Sequence, residues 1–191
     1  FKDYKVTAEV YDLNSKKVWG KSQKIDIPED GVVIDIFTID FPQNITQVHF
    51  IKLRLFDTKG KEVANTFYWR SNDKYEGRKT LTGPTSSGFE DLSKLKQVQL
   101  KTRYQTYQEG DRHFIKAEIK NPSSTVAFFT QLQLLGQDKK PVRPSFYTDN
   151  FFSLLPGESK TVIIETAASD MPSEPTFVVK GWNIKPSSFK L

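Results

Sequence analysis

The residue types that most often perform acid–base or metal chemistry are scarce in this chain. It has no cysteine and only two histidines, His49 and His113, so a thiolate nucleophile or ligand is excluded. Both histidines fall within the alternation of apolar and polar residues that is typical of β-strands, which favours packed side chains over metal ligands or general bases. Nothing has the spacing of a structural zinc site. We therefore predict no metal and no cofactor.

Several carboxylates lie in predicted turns, among them Glu29, Asp57 and Glu109. A glycosidase needs two carboxyl groups that face one cleft at a defined separation, and the sequence does not place two of these groups on converging rigid elements. The turn at residues 57–60 lacks the spaced oxygen ligands of a calcium loop. No glycine-rich phosphate loop or nucleophile elbow is present either. The sequence therefore predicts no catalytic residue.

Aromatic residues make up 13% of the chain and are the remaining candidates for a binding surface. An exposed ring can pack against the C–H face of a sugar, and Trp19 and Trp182 are weak candidates for such stacking. The alternative is packing in cores and interfaces, because each ring buries about 150–250 Å². The pattern of residues favours this second interpretation for most of the rings.

One aromatic stretch differs from the sequence of a plain sandwich core. It carries an Asp-Asn pair, which favours a tight turn, between flanking rings, and this arrangement predicts apolar surface on a loop. We interpret the stretch as a docking loop and take Trp69, in the first half of the chain, as a candidate interdomain contact. The docking candidates are Tyr147, Asp149, Asn150, Phe151 and Phe152.

The predicted strands that position these candidates belong to an internal sequence repeat. Residues 50–68 and 129–147 share seven identical positions without a gap, at a constant separation of 79 residues. This separation is too long for a solenoid unit and matches a small β-sandwich domain. Short strands follow one another with turns about every ten residues, and no long helical period occurs. The sequence predicts an all-β chain with two tandem immunoglobulin-like β-sandwich domains.

Glycine, proline and serine residues in close succession separate the two predicted domains. We expect the first domain at residues 1–80, a linker at residues 81–94 and the second domain at residues 95–191. A short helical turn at residues 89–95 is expected to attach the linker to the second domain. Because the first residue is Phe1, we also interpret the chain as a piece cut from a longer polypeptide.

Charge and hydropathy narrow the range of partners. The net charge is +5, but lysines are interleaved with acidic residues through both halves, whereas nucleic-acid binders usually cluster their basic residues. No apolar run is long enough for a membrane span, and no signal-peptide pattern occurs. We predict no nucleic-acid partner and no membrane span, and both a cytoplasmic and a periplasmic location are compatible with the sequence.

Several motifs resemble known domains. The stretch FYTDNFFSLLPGE at residues 146–158 resembles the C-terminal immunoglobulin-like domain of glycoside hydrolase family 2 enzymes, in the branch of the β-mannosidases and exo-β-D-glucosaminidases. Gly181, Trp182 and Asn183 resemble the end of that domain, and residues 53–69 resemble the domain before it. The resemblance covers nearly all of the chain and leaves open whether the first strand of domain one lies upstream of Phe1.

The resemblance also implies a function. Enzymes of this family carry both catalytic glutamates on a TIM barrel, and no segment here matches that barrel. The chain is thus expected to be the non-catalytic C-terminal region of a retaining, β-mannosidase-like glycosidase. It would pack on the catalytic barrel of the same polypeptide and meet carbohydrate, a β-mannoside or β-glucosaminide, only indirectly. The alternatives are an autonomous carbohydrate-binding tandem module and, less favoured, an adhesin or a transglutaminase-like tail.

Overall fold

The computed structural model describes residues 1–72 and 88–191, so residues 81–87 of the predicted linker lie outside the described residues. The chain divides into two compact units, Phe1–Lys94 and Leu95–Leu191. Both are built from antiparallel strands, which confirms the all-β prediction. The expected short helical turn is present as a 3₁₀ helix at Glu90–Lys94, and a second one lies at Ala168–Asp170. Across the described residues, no helix has the length and apolar character needed to cross a membrane.

The first unit contains one four-stranded antiparallel sheet with the strand order β2-β1-β3-β4. Side chains alternate between the two faces of each strand, and Ala8 and Val10 of β1 are fully buried on the face that they share with Ile51 and Leu53 of β3. The sequence predicts this apolar face from the alternation alone. The strands are β1 Tyr4–Asp12, β2 Lys17–Ile25, β3 Val48–Phe56 and β4 Glu62–Ser71.

Residues 26–47 form no strand, and part of this irregular segment lies over the apolar face of the sheet. A cavity of about 270 Å³ remains between the segment and the sheet. Val33 and Ile36 line it from the segment, and Val6, Leu53 and Ala64 line it from the sheet. A four-stranded sheet needs a second layer to bury its apolar face, and in this unit that layer is incompletely filled.

His49 lies fully buried on the same face, and neither of its ring nitrogens has a hydrogen-bond partner. The ring packs against Phe41 at a centroid distance of 5.1 Å, and the Arg70 guanidinium lies 4.7 Å from the centroid of the Phe41 ring. Burial lowers the pKa of His49, and the positive charge of Arg70 acts in the same direction. The imidazole is therefore packed in its neutral form.

The first unit should consequently lose stability as the pH falls below about 6.5, the ordinary pKa of histidine. Between that pH and the lower pKa of the folded state, the unfolded chain binds a proton that the folded unit does not, so protonation favours unfolding. Urea unfolding between pH 5 and 7.5, followed by hydrogen exchange of the β3 amides, measures the slope. His49→Leu should abolish the slope, whereas His113→Gln, which changes a half-buried histidine of the second unit, should preserve it. A slope that persists in His49→Leu would contradict the assignment.

The second unit is a sandwich of two four-stranded sheets, with the strand orders β5-β6-β10-β8 and β12-β11-β7-β9. Inward-facing side chains of both sheets form one core that includes Ile115, Leu134, Ile164 and Phe177. The strands are β5 Lys101–Glu109, β6 Arg112–Lys120, β7 Ala127–Leu135, β8 Ser145–Tyr147, β9 Phe152–Leu154, β10 Ser159–Ala167, β11 Thr176–Lys180 and β12 Ser187–Lys190.

The two copies of the sequence repeat begin alike. In the first, the Asp57 N–H donates to the Lys61 carbonyl at 2.9 Å and Gly60 has a φ of 77°. In the second, the Gly136 N–H donates to the carbonyl of Lys140 at 2.9 Å. Lys139, which is equivalent to Gly60, has a φ of 60°. The same tight turn therefore ends β3 and β7.

The copies then separate inside the repeat. The first continues into β4, which pairs with β3 along its whole length. The second makes a single bridge between Leu135 and Pro141, and its chain then crosses to the other sheet, where β8 pairs with β10. Pro141 and Pro144 have no N–H to donate to a ladder, which gives a physical reason for the crossing. The repeat therefore specifies the same strand and turn in both copies but a different continuation.

Candidate docking loop of the second unit

The loop at residues 148–151 joins β8 of one sheet to β9 of the other and contains the centre of the predicted docking stretch. The side chain of Asn150 forms hydrogen bonds with the backbone of β7. Its Oδ1 accepts from the Leu132 N–H at 2.8 Å, and its Nδ2 donates to the Leu132 carbonyl at 3.0 Å. The side-chain amide thus pairs with a strand as a neighbouring peptide group would. The role of Asn150 in the structure is to hold the loop against the sandwich.

Tyr147 is also used inside the unit. It pairs with Ile164 in one sheet, and its hydroxyl accepts a hydrogen bond at 3.0 Å from the N–H of Leu134 in the other. Burial raises the pKa of the Tyr147 hydroxyl, and the hydrogen bond from Leu134 acts in the opposite direction. The side chain therefore connects the two layers immediately before the loop begins.

Two further candidates form a charged contact at the base of the loop. The Asp149 carboxylate makes an ion pair with the ammonium group of Lys160. The same ammonium group lies 5.3 Å from the centroid of the Phe152 ring, within the range of a cation–π interaction. Phe152 itself is buried and belongs to the core. Asp149 and Phe152 thus anchor the end of the loop next to β10.

Phe151 is the candidate that the structure presents to solvent. Its side chain is 49% exposed and packs on that of Phe129, which is 37% exposed, at a centroid distance of 5.4 Å. Both residues have left-handed backbone conformations, with φ of 58° and 57°. Such values are rare for bulky residues and cost roughly 1–2 kcal/mol each. Two strained positions therefore hold one exposed aromatic pair in place.

Trp182 is a third exposed ring whose backbone lies next to this pair. Its backbone N–H donates to the Phe128 carbonyl at 3.0 Å, and its side chain is 60% exposed. A Cβ added to the preceding Gly181 would lie 2.8 Å from the Phe129 carbonyl oxygen. The backbone that carries Trp182 therefore adjoins the backbone that carries Phe129. We call Phe129, Phe151 and Trp182 the aromatic end surface.

Asn183, next to Trp182, is buried and holds this region together. Its Oδ1 accepts from the Phe128 N–H at 2.8 Å, and its Nδ2 donates to the carbonyls of Lys96 at 2.9 Å and Val126 at 2.8 Å. Backbone groups from two distant segments, one at Lys96 and one at residues 126–128, thus meet at one side chain. The sequence resemblance includes Asn183, but its spacing alone gave no sign of this role.

Phe129 is the functional candidate that the sequence analysis missed. Its counterpart in the repeat, Phe50, is fully buried, and the Phe67 ring packs against it at a centroid distance of 5.5 Å. Counting alternate residues places both Phe50 and Phe129 on the face opposite to the inward leucines of their strands, so the repeat itself does not separate them. The pairing of β7 with β9 is irregular between Ala127 and Thr130, and the exposed Phe129 lies in this irregular part.

The remaining candidates lie elsewhere. Trp69 is an exposed residue of β4, and its role as an interdomain contact stays a prediction. Trp19 is half-buried on β2 opposite Val10, whereas Trp182 belongs to the second unit, so the two sugar-stacking candidates lie in different units. Among residues 1–72 and 88–191, no three His, Asp or Glu side chains are grouped in a way that could hold a metal ion.

Comparison with known families supports the resemblance seen in the sequence. Residues 80–184 match the family described as exo-beta-D-glucosaminidase Ig-fold domain, and residues 2–75 match the mannosidase Ig/CBM-like domain. The chain is similar to exo-beta-D-glucosaminidases of Streptomyces avermitilis, at 30% identity over 73% of this chain, and Amycolatopsis orientalis, at 25% identity over 93%. It covers only 16% and 18% of those two relatives.

The fold is also found in a solved structure. Exo-chitosanase CsxA of Amycolatopsis orientalis superposes with a TM-score of 0.87 over 100% of this chain and 24% of that chain, at 20% sequence identity. At this identity the likeness concerns the fold. The match to residues 80–184 spans more than half of the sequence, and the chain therefore belongs to the exo-beta-D-glucosaminidase Ig-fold domain family.

Proposed function

We propose that this chain is the non-catalytic C-terminal β-sandwich region of a retaining glycosidase and packs on the catalytic TIM-barrel domain of the same polypeptide through the aromatic end surface. One observation carries the proposal. Phe129 and Phe151 remain exposed although each is held in a costly left-handed conformation. Strain of this kind persists where the surrounding structure enforces it and is concentrated at functional positions. A second domain would contact the rings that these two left-handed positions hold at the surface.

The parent enzyme is proposed to act on β-D-glucosaminides rather than β-mannosides. The two relatives compared above are exo-beta-D-glucosaminidases, and the family that matches the second unit has the same description. The first unit matches a mannosidase domain family, but it would contribute no catalytic group. Comparing the rates at which the full-length enzyme hydrolyses p-nitrophenyl β-D-glucosaminide and β-D-mannoside tests the assignment, and faster mannoside hydrolysis would contradict it.

Phe151→Asn should separate docking from folding. Asparagine tolerates a left-handed conformation better than phenylalanine, which offsets the lost ring contact with Phe129, so the isolated chain should change in unfolding free energy by less than about 1 kcal/mol. In the full-length enzyme, the lost ring should weaken domain packing by about 2 kcal/mol. Urea unfolding of the isolated chain, together with thermal unfolding and kcat/KM of the full-length enzyme, measures both effects.

The matched control for Phe151→Asn is Phe146→Asn. Phe146 is another exposed ring of the second unit, but it lies on β8, in the other sheet from Phe129. The control should leave the thermal unfolding and kcat/KM of the full-length enzyme unchanged. If Phe151→Asn also leaves both quantities unchanged, the aromatic end surface does not dock the catalytic domain.

A second candidate function, autonomous carbohydrate binding, is favoured by a different surface. On the outer face of the β5-β6-β10-β8 sheet, Tyr107, Phe114, Glu165 and Phe146 form one row across the four strands. The rings of Tyr107 and Phe114 are nearly parallel at 5.0 Å, and Arg112 pairs with Glu165 at 3.3 Å. Neighbouring strands are spaced at about 4.8 Å, so the row combines apolar rings and hydrogen-bonding groups at short intervals, as an extended glycan would require.

Titration of the isolated chain with chitosan oligomers, mannan and N-glycan fragments distinguishes the two functions. Millimolar or tighter binding that is lost in Phe146→Asn would support the carbohydrate-binding module. Absence of binding by the isolated chain, together with a defect of Phe151→Asn in the full-length enzyme, would support the docking role. The two variants thus report on separate surfaces of the same unit.

A further inference from the structure

Residues 32–40, which we call the open segment, expose apolar side chains to an unusual degree. Val32 is 81% exposed and Ile34 is 74% exposed, whereas Val33 and Ile36 turn toward the cavity above the sheet of the first unit. A segment that covers a core normally carries polar residues on its outer side. Here both sides are apolar, which is typical of a segment that is covered on both sides.

The backbone of the open segment is also unpaired. No N–H or carbonyl group of residues 32–40 takes part in a hydrogen bond within the described part of the chain, and the nearest bonds flank it. On one side the Gly31 N–H donates to the Pro28 carbonyl, and on the other the Ile45 N–H donates to the Pro42 carbonyl. Asp35 has a left-handed backbone conformation, with a φ of 55°, and so divides the open segment into residues 32–34 and residues 36–40. Free peptide groups beside exposed apolar side chains on either side of this break are a template for pairing with another strand.

The neighbourhood of the open segment offers a place where such a strand can enter. The Phe1 nitrogen donates to the Ile27 carbonyl at 2.8 Å, and the Ile27 N–H donates to the Phe1 carbonyl at 2.8 Å. This reciprocal pair is the hydrogen-bonded arrangement of antiparallel strands. It lies five residues before the open segment, so a residue bonded to the Phe1 nitrogen would lie close to the start of that segment.

Charge argues against a second copy of this chain as the occupant. The open segment contains Asp35 and Asp40 and no basic residue, so pairing of two copies would bring four carboxylates together. A strand from the rest of a longer polypeptide is free of this penalty. The chain covers only 16% and 18% of the two relatives, so a polypeptide of their length has ample sequence outside residues 1–191.

We propose that the open segment pairs with a β-strand contributed by the parent polypeptide from outside residues 1–191, and that this strand covers Val32 and Ile34. The inference rests on the proposed function, because it requires a longer glycosidase as the parent. Strand addition completes the second layer of the first unit. It also makes that unit an integral part of the parent fold, because its backbone becomes joined to another part of the polypeptide.

Hydrogen exchange compared between the full-length enzyme and the isolated 191-residue chain tests the proposal. Amides within residues 32–34 and 36–40, on either side of the left-handed Asp35, should exchange at least about 100-fold more slowly in the full-length enzyme. Amides of β1 and of the turn at residues 14–16 serve as internal controls and should exchange alike in both proteins. Equal exchange of residues 32–40 in the two proteins would overturn the proposal. Protection that appears in the isolated chain and rises with its concentration would also overturn it, because the occupant would be a second copy.

A pair of substitutions distinguishes strand pairing from general loss of stability. Val32→Lys combined with Ile34→Lys should raise exchange of residues 32–40 at least tenfold in the full-length enzyme and leave the isolated chain unaffected. Val63→Lys, at an exposed position of β4, should have no effect in either protein. An equal effect of the double substitution in both proteins would overturn the proposal. Exchange at residues 148–151 in the same experiment reports on the docking loop, so failure of the proposed function is seen separately.

Discussion

Asn183→Ala is expected to lower the unfolding free energy of the second unit by about 4 kcal/mol. The substitution removes one acceptor and two donors from a buried position, so the hydrogen bonds of the Phe128 N–H and of the Lys96 and Val126 carbonyls to this side chain are lost. Each buried polar group that loses its partner costs about 1–3 kcal/mol. The small cavity left by the amide adds to this cost.

Urea unfolding of the isolated chain, monitored by hydrogen exchange of the β7 amides, measures the effect of Asn183→Ala. Trp182→Ala is the matched control, since its ring is mostly exposed and its backbone N–H is retained. The control should change the unfolding free energy by less than about 1 kcal/mol. If the two substitutions lower the unfolding free energy by similar amounts, the hydrogen bonds of Asn183 do not stabilise this region as proposed.

Gly181→Ala should be the next most damaging substitution, at about 3 kcal/mol. The new Cβ would lie 2.4 Å from Cδ1 of Ile184, 2.8 Å from the carbonyl oxygen of Phe129 and 3.1 Å from that of Phe128. The Ile184 side chain can rotate or be shortened, but the two carbonyls belong to the irregular part of β7. Most of the lost unfolding free energy is therefore expected from the contacts of the new Cβ with these two carbonyl oxygens.

A double substitution tests that division of the cost. Combining Gly181→Ala with Ile184→Val removes the Cδ1 methyl and should recover part of the lost stability, whereas a full recovery would show that the backbone contacts do not matter. Gly136→Ala is the control in the same unit, because its nearest contact would be 3.4 Å from an Asp138 carboxylate oxygen. Its expected effect is below about 1 kcal/mol.

Alternation makes the long strands recognisable in the sequence, because one buried face imposes a period of two, as in the nine residues of β1. The strands β8 and β12 are only three and four residues long. A strand of that length contains too few alternate positions to form a pattern. Its pairing depends on neighbours that are distant in the sequence.

The candidate site was only partly accessible from the sequence. The stretch that contains Phe151 was identified from its rings and its Asp-Asn pair, but the roles of its members differ. Asn150 and Tyr147 bond to the backbone of β7, and Phe152 packs in the core. A polar residue in a predicted turn gives no sign of whether its amide will meet solvent or a strand. That choice is made by tertiary packing.

The degree of burial of Phe129 is a second feature that the sequence does not determine. Phe129 and Phe50 occupy equivalent positions of a repeat that forms the same strand and the same tight turn, yet Phe50 is buried and Phe129 is exposed. The Phe67 ring packs against Phe50 at 5.5 Å, whereas Phe146, the counterpart of Phe67, lies on β8 in the other sheet. Equivalent sequence therefore specified the strand, while the path of the following chain determined what covers the ring.

The hydrogen bonds of Asn183 also bear on the order in which the second unit can form during translation. This one side chain supplies partners to Lys96, which precedes it by 87 residues, and to Phe128, which precedes it by 55. Until the ribosome has delivered residue 183, these backbone groups must remain hydrated and the adjoining strands cannot close around a dry core. The nascent second unit should accordingly stay sensitive to proteases and available to chaperones until almost all of it has been synthesised, whereas the first unit can acquire its sheet much earlier.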